Sequence, residues 1–332
     1  LAVPSKMQIF VAGQLDKLGG NPMQQLAAAL TPSAVALDAS AVCAVAPEAE
    51  LPPTGHLDDH TACSVRSRTV ATAIVSSLSA TESSYMLAMA PGVGACDEDI
   101  APLLVAMEYL TALEGDFWVK LRGAGLTYGS SLANSIDLKR VSFSLYRCAD
   151  LPAAYEAARD IVVGYASGEA TISSVGLEAA KSSLAYSVVQ SVSTRIDAAT
   201  VAWVGQYMGK RADHSQWILS EMARVTQEDA LCAIRRYIVP LFDPLANVSI
   251  ACPANKVDSI CAALAKRGID ARRVPEDKLT SVFGGARAAP PSSTAAAKVT
   301  YGRVSSKLRP GAFASMFKCG CPRCDKPSRL GR

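Results

Sequence analysis

The stretch Asp97–Arg147 constrains the fold most, because it places a helical pattern directly before two strand patterns. Apolar residues recur at helical spacing within Ile100–Leu110. The turn Arg122–Tyr128, which contains two glycines, then leads into Leu126–Leu132 and Val141–Tyr146, and both segments are typical of β-strands. A helix followed by two paired strands is consistent with an antiparallel sheet backed by helices.

Outside this stretch, strand patterns come first, a block of helical patterns follows, and a strand, a helix and a strand come last. The predicted strands are Met7–Ala12, Arg68–Ser79, Ser83–Ala90, Asn247–Cys252 and Ile269–Val274; the predicted helices are Asn21–Leu30, 152–167, 171–191, 193–209, 212–223, 226–238 and Ala254–Arg267. Thr226 with Asp229 resembles a capping box, and Asp97 or Asp99 can cap the helix that contains Ile100. This order predicts an α+β fold in which an antiparallel sheet is backed by helices.

Composition divides the chain into three parts. Residues 1–60 hold an opening strand, a helix and a Pro- and acid-rich connecting loop, and residues 61–280 hold the α+β domain. Residues 281–332 form a basic tail, rich in Ala, Pro and Ser in its first half, which we expect to be disordered. Its ten Lys and Arg residues against one Asp give the tail a net charge of +9, so that residues 1–280 carry −6.

This charge distribution argues against several partner classes. Because the globular part is mildly acidic, we do not expect a nucleic-acid-binding surface across the fold. No apolar run is long enough to predict a transmembrane helix. The chain begins with Leu1 and has no signal-peptide pattern, so we expect a fragment or a processed product. Seven of its ten cysteines are scattered through apolar segments, a pattern typical of reduced, buried thiols in an intracellular protein.

Two motifs suggest metal sites but fit them poorly. His56 and His60 in HLDDH have the spacing of an inverted zinc motif, but Asp replaces the Glu and the preceding prolines predict a loop. The tail cysteines Cys319, Cys321 and Cys324 provide three thiols, whereas a structural zinc site needs four ligands. We therefore interpret the first motif as a solvated loop and leave the role of the tail cysteines open.

Arg122 and Tyr128 are the candidate functional residues. From the residues alone, Arg122 could instead complement the C-terminal end of its helix and Tyr128 could simply pack in a strand.

A resemblance favours the functional interpretation. The series Leu121–Gly129, followed by a strand ending Ser144–Arg147, is similar to the C-terminal half of the insulinase/pitrilysin superfamily of zinc metallopeptidases. The resemblance extends over about residues 5–275 and is greatest to the presequence-protease-like branch. Further segments that contribute to it are Met7–Leu18, Glu82–Tyr85, Pro91-Gly92, Tyr109-Leu110, Glu114–Trp118 and Leu177–Ser183.

The resemblance implies a metallohydrolase-type C-terminal domain and a role for each candidate residue. Tyr128 would be catalytic, because its phenol would donate a hydrogen bond to the oxyanion formed during peptide hydrolysis, and Arg122 would bind the substrate backbone. Zinc and its H-x-x-E-H ligands would lie outside this chain, on an N-terminal peptidase half that is fused or separate. The chain alone would then be inactive, and the complete hydrolase would cleave peptides in an enclosed chamber, in the cytoplasm, a mitochondrion or a plastid.

Two other interpretations stay open at this point. The chain could be a non-catalytic structural or partner subunit of the same superfamily, although such a subunit has no need for Arg122 and Tyr128. It could also be a small zinc protein that uses His56, His60 or the tail cysteines.

Overall fold

The computed structural model describes residues 72–244 and 246–278. The predicted elements before residue 68, the HLDDH histidines and the cysteines of the tail lie outside these residues, and the predicted boundaries at 60/61 and 280/281 stay predictions. The described residues fall into two compact units, one of residues 187–215 and one of the remainder.

The helices and strands follow the predicted order. The strands are β1 (Thr72–Ser77), β2 (Ser84–Pro91), β3 (Thr127–Ser135), β4 (Arg140–Cys148), β5 (Asn247–Cys252) and β6 (Asp270–Val274). The α-helices are α1 (Ile100–Thr111), α2 (Leu151–Ser167), α3 (Ser174–Gln190), α4 (Arg195–Tyr207), α5 (His214–Arg224), α6 (Gln227–Ala233) and α7 (Val257–Lys266). A π-helical turn spans Trp118–Gly123, and α6 continues into a second π-helical segment, Ile234–Ile238, and a 3-10 turn, Val239–Phe242.

The strands form one mixed sheet in the order β3-β4-β2-β5-β1-β6. The predicted α+β class with helices backing a sheet is confirmed. The antiparallel pairing holds for β3–β4, β4–β2 and β2–β5, whereas β1 runs parallel to both β5 and β6. The parallel part arises because α7 separates β5 from β6, and a helical crossover returns the chain to the same end of the sheet.

One face of this sheet is covered by helices, and aromatic rings fill the space between them. Phe143 on β4 packs against Phe117 at 5.7 Å and against Phe242 at 5.3 Å between ring centroids, and Tyr155 of α2 lies 5.4 Å from Phe242. All four side chains are buried, and burial raises the pKa of Tyr155 to about 12. The opposite face presents partly exposed side chains such as Leu87 instead.

Two sequence-predicted caps have different outcomes. The capping box at the start of α6 is confirmed, since the Thr226 side chain accepts from Asp229 N and the Asp229 side chain accepts from Thr226 N. Asp99 occupies the N-cap position of α1, but its side chain makes no capping bond; instead it accepts hydrogen bonds from Arg236 Nη1 and Tyr237 Oη, each at 2.7 Å. Its carboxylate therefore links α1 to the segment after α6 rather than to the backbone of α1.

Within the unit of residues 187–215, α4 is the helix that lies entirely inside this range. Thr194 caps α4 by accepting a hydrogen bond from Asp197 N at 3.1 Å. Partial burial, together with Lys210 and Arg211, lowers the pKa of His214 at the end of this unit. Across the described residues, none of the helices combines the length and apolar character needed to cross a membrane.

Candidate functional site

The site is built on the π-helical turn Trp118–Gly123. Each π turn holds one residue more than an α turn, and such turns are frequent at functional sites. Gly125 follows the turn, and its φ of +72° lies in the left-handed region that glycine adopts without strain. The chain then enters β3 at Thr127, and this tight corner brings Arg122 and Tyr128 into contact.

Arg122 lies between two aromatic rings. Its guanidinium carbon is 4.4 Å from the Trp118 ring centroid and 4.7 Å from the Tyr128 ring centroid. Both distances are within the range of a cation–π interaction, and a guanidinium in such a contact still has N–H groups that can donate to a ligand. Arg122 is exposed and 58% of the Tyr128 surface is exposed, so a ligand can reach both from solvent.

Thr127 fixes the backbone beside this pair. Its buried hydroxyl lies 2.8 Å from the carbonyl oxygen of Tyr146 and 2.9 Å from that of Gly129. The neighbouring thiol of Cys148 is fully buried, and burial raises its pKa even though its contact with Thr127 opposes the shift. This thiol therefore stays neutral near pH 7 and is not a nucleophile candidate.

The aromatic contacts continue from Tyr128 across the sheet. Tyr146 on β4 makes an edge contact with Tyr128 at 6.3 Å and with Tyr85 on β2 at 5.4 Å between ring centroids. A β-bulge lies here, because the two residues Tyr146 and Arg147 of β4 face the single residue Tyr85 of β2. Arg147 has a φ of +54°, and its guanidinium carbon lies 5.9 Å from the Tyr146 ring centroid.

Asp116 anchors the π-helical turn to the helices. The buried hydroxyl of Tyr165 on α2 donates to Asp116 Oδ2 at 2.6 Å, and Lys120 Nζ lies 3.2 Å from Asp116 Oδ1. Burial and the bond to Asp116 raise the pKa of Tyr165, so the hydroxyl remains a donor. Tyr165 also makes an edge contact with Tyr109 of α1, and the turn is thereby held from two helices.

The described residues offer no evident metal centre. Within 72–244 and 246–278, no group of three or more His, Cys, Asp and Glu side chains is placed to hold an ion. His56, His60, Cys319, Cys321 and Cys324 lie outside these residues, so the sequence interpretations of both motifs are not tested. His214, the one histidine of the chain that is described, lies in the helical unit of residues 187–215.

The structure brings the two sequence-predicted residues together and adds others that sequence reasoning missed. Trp118, Tyr146 and Tyr85 were not predicted as site residues. The sequence contained a signal for Tyr146, because Val141, Phe143 and Leu145 occupy the buried face of β4 and the alternation then places an aromatic ring on the opposite, polar face. Trp118 precedes Arg122 by four residues, the spacing at which helical side chains meet.

Comparison with known sequences finds relatives of unassigned function, and no family model matches the chain. An uncharacterized protein of Saccharomyces cerevisiae is 30% identical over 166 residues, which cover 49% of this chain and 16% of that protein. An uncharacterized protein of Schizosaccharomyces pombe is 27% identical over 172 residues, or 51% and 16% of the two chains. An uncharacterized Caenorhabditis elegans protein is 35% identical over 111 residues, or 33% and 11%. The matched part thus spans about a sixth of the yeast relatives.

Among solved structures, the chain is similar to parts of bacterial proteases. The inactive domain of a peptidase M16 from Pseudomonas fluorescens matches with a TM-score of 0.47 and 15% identity, over 56% of this chain and 44% of that one. A protease from Helicobacter pylori matches with a TM-score of 0.45 and 12% identity, over 55% and 44%. The periplasmic protease PqqL from Escherichia coli gives 0.44 and 14%, over 56% and 21%.

Proposed function

We propose that this chain is the C-terminal, substrate-binding part of a zinc metallopeptidase of the insulinase/pitrilysin type. The observation that supports the proposal is the corner at which Arg122 and Tyr128 meet. Their side chains are 4.7 Å apart between guanidinium carbon and ring centroid, both reach solvent, and Trp118 holds the arginine from the other side. An exposed pair held this firmly is better suited to binding a ligand than to stabilising the fold.

The chemistry follows from the two groups. A fixed guanidinium can donate paired hydrogen bonds to a substrate carbonyl or carboxylate, which sets the position of the peptide and lowers the entropic cost of reaction. A neutral phenol can donate to the carbonyl oxygen as negative charge develops on it, which stabilises the transition state. Arg122 would thus bind and orient the peptide, and Tyr128 would assist its cleavage.

The proposal assigns the metal and its H-x-x-E-H ligands to an N-terminal half, fused or separate; within the described residues, no group of three or more His, Cys, Asp and Glu side chains is placed to hold an ion. When bound there, zinc would supply an activated water for peptide hydrolysis. Peptides enclosed between the two halves are the proposed substrates. On this proposal the chain alone hydrolyses nothing.

Reconstitution tests the proposal. The full chain is combined with the H-x-x-E-H half encoded in the same genome, and turnover of a quenched fluorescent peptide is measured. Tyr128→Phe removes the donor while keeping the ring, and we expect kcat to fall about 100-fold with little change in KM. Tyr186→Phe makes the same change on an exposed tyrosine of α3 and should leave kcat unaltered.

Two results would count against the proposal. Wild-type turnover in Tyr128→Phe would remove the oxyanion role. A stable complex of the two halves that cleaves no peptide would favour the structural-subunit alternative.

A further inference from the structure

The face of the sheet opposite the helices contains a groove beside the Arg122–Tyr128 corner. Its volume is about 400 Å³, within the range of small-molecule and side-chain binding pockets. Its described lining residues are Ile74, Ser76, Leu78, Tyr85, Met86, Leu87, Ser144, Leu145, Tyr146, Ser249, Ile250 and Ala251. None of these carries a charge.

The lining combines apolar walls with a floor of small residues. Tyr85, Leu87 and Tyr146 project from β2 and β4, whereas Ser144 and Ser249 occupy positions on β4 and β5 where a large side chain would fill the space. An uncharged groove of this kind favours an apolar side chain, because a charge buried there would lose its hydration without gaining a partner of opposite charge.

The groove is continuous with the candidate site through one side chain. Tyr146 lines the groove, and its ring also contacts the ring of Tyr128, which in turn contacts Arg122. From Tyr128 to Tyr85 the two centroid steps of 6.3 and 5.4 Å correspond to at most about three or four residues of an extended peptide. A peptide held at Arg122 can therefore extend over Tyr146 and place a nearby side chain in the groove.

We infer that the groove is a subsite for an uncharged, apolar side chain of the peptide that Arg122 and Tyr128 bind. The inference rests on the proposed function, and it assigns Tyr146 and Tyr85 a role in substrate selection. The subsite selects peptides with an aliphatic or aromatic residue a few positions from the residue that Arg122 holds. A peptide with Asp or Ser at that position binds more weakly.

Ser144 and Ser142 provide a matched pair of variants for testing it. Both serines lie on β4, two residues apart on the same open face, and each hydroxyl bonds across to β3: Ser144 Oγ to Ser131 Oγ at 2.7 Å, and Ser142 Oγ to Ala133 O at 3.5 Å. Only Ser144 lines the groove. Ser144→Phe should fill the groove, and Ser142→Phe should change the same face beside it.

The experiment measures binding without any peptidase activity. Fluorescein-labelled Gly-Ser-Thr decapeptides, each with one Leu at a different position, are titrated with the full chain and followed by fluorescence anisotropy. In at least one register Leu should tighten Kd about tenfold over the parent peptide without Leu. Ser144→Phe should abolish this gain, and Ser142→Phe should retain it. Arg122→Ala should raise the Kd of all the peptides alike.

Three results would overturn the subsite. They are the absence of any Leu-dependent gain, equal gains in Ser144→Phe and Ser142→Phe, and a change of oligomeric state in Ser144→Phe alone, which would make the groove a contact between copies of the chain. These results leave the proposed function untouched, because that proposal is tested by the turnover of Tyr128→Phe. If Tyr128→Phe keeps wild-type turnover but Ser144→Phe abolishes the preference for Leu, the chain binds peptides without a catalytic role.

Discussion

At the scale of single residues, the candidate site depends on the shape of a guanidinium rather than on its charge alone. The Arg122 plane lies between Trp118 and Tyr128, and a planar, weakly hydrated cation suits that position better than an ammonium. Lysine would keep the charge but lose the paired donors and most of the stacking surface. We therefore expect that lysine cannot replace arginine at position 122, whereas either cation would serve at an ordinary surface position.

Arg122→Lys measures this dependence. We expect KM for the reconstituted peptidase, or Kd for the labelled peptides, to rise about tenfold, with kcat changed far less because Tyr128 is intact. Arg195→Lys, at an exposed arginine that begins α4, is the control and should change neither constant. Equal behaviour of the two variants would mean that Arg122 contributes charge only.

At the scale of elements, hydrogen bonds from the residues directly after β2 fix the register of the neighbouring strands. Gly92 N donates to Lys139 O at 2.7 Å, and Asn134 of β3 accepts from Val93 N at 3.1 Å and donates to Val93 O at 3.0 Å. A Cβ built on Gly92 would lie 2.6 Å from Arg140 C and 2.7 Å from Val141 N. Those neighbours are backbone atoms of β4, so they cannot move aside without shifting the strand.

Gly92→Ala should therefore lower the free energy of unfolding by about 2–3 kcal/mol or more, because the methyl group forces β2 and β4 apart. In the same loop, a Cβ on Gly94 would meet only Lys139 Cε at 3.5 Å, an ordinary contact. Gly94→Ala should stay within about 0.5 kcal/mol of wild type. Guanidinium denaturation followed by circular dichroism measures both; a Gly92→Ala variant as stable as Gly94→Ala would disprove the clash.

The elements themselves could largely be predicted from the sequence, whereas their assembly could not. Alternation defined Val141–Tyr146 as a strand, and helical spacing defined Ile100–Leu110, because these periods depend on neighbours in the chain. The parallel pairing of β1 with β5 and β6 depends on contacts across more than 170 residues, for example Ala73 with Val248. Arg122 and Tyr128 could be predicted as a pair from the sequence. The aromatic contacts from Tyr128 through Tyr146 to Tyr85 could not, because they depend on the pairing of β2 with β4, which no local pattern encodes.

At the scale of the whole molecule, one carboxylate joins distant parts of the larger unit. Asp99 is 7% exposed and accepts hydrogen bonds from Arg236 and Tyr237, more than 130 residues later. Burial and the bond to Asp99 raise the pKa of Tyr237, so its hydroxyl stays protonated and remains a donor. This link connects the start of α1 to the helical segment that follows α6.

Asp99→Asn should lower the free energy of unfolding by about 2–3 kcal/mol, because it removes the charge that a largely buried arginine pairs with. Asp160→Asn is the control: Asp160 pairs with Arg159 at 3.3 Å, but 71% of its side chain is exposed, so the change should be within about 0.5 kcal/mol. Thermal or chemical unfolding of the full chain gives both values. Similar stabilities for the two variants would show that the buried link adds little.

In the π-helical turn, the number of residues between Trp118 and Arg122 matters to the candidate site as much as the identity of the two residues. Trp118 and Arg122 meet because they are four residues apart, a spacing that places two helical side chains on one face. Side chains one or two residues apart on a helix do not face each other, so loss of two of the three residues between them would separate the Trp118 ring from the Arg122 guanidinium. When this segment is followed through evolution, a relative that keeps Trp and Arg but has lost two residues between them is therefore expected to have lost the site, whereas one that exchanges the intervening residues keeps it.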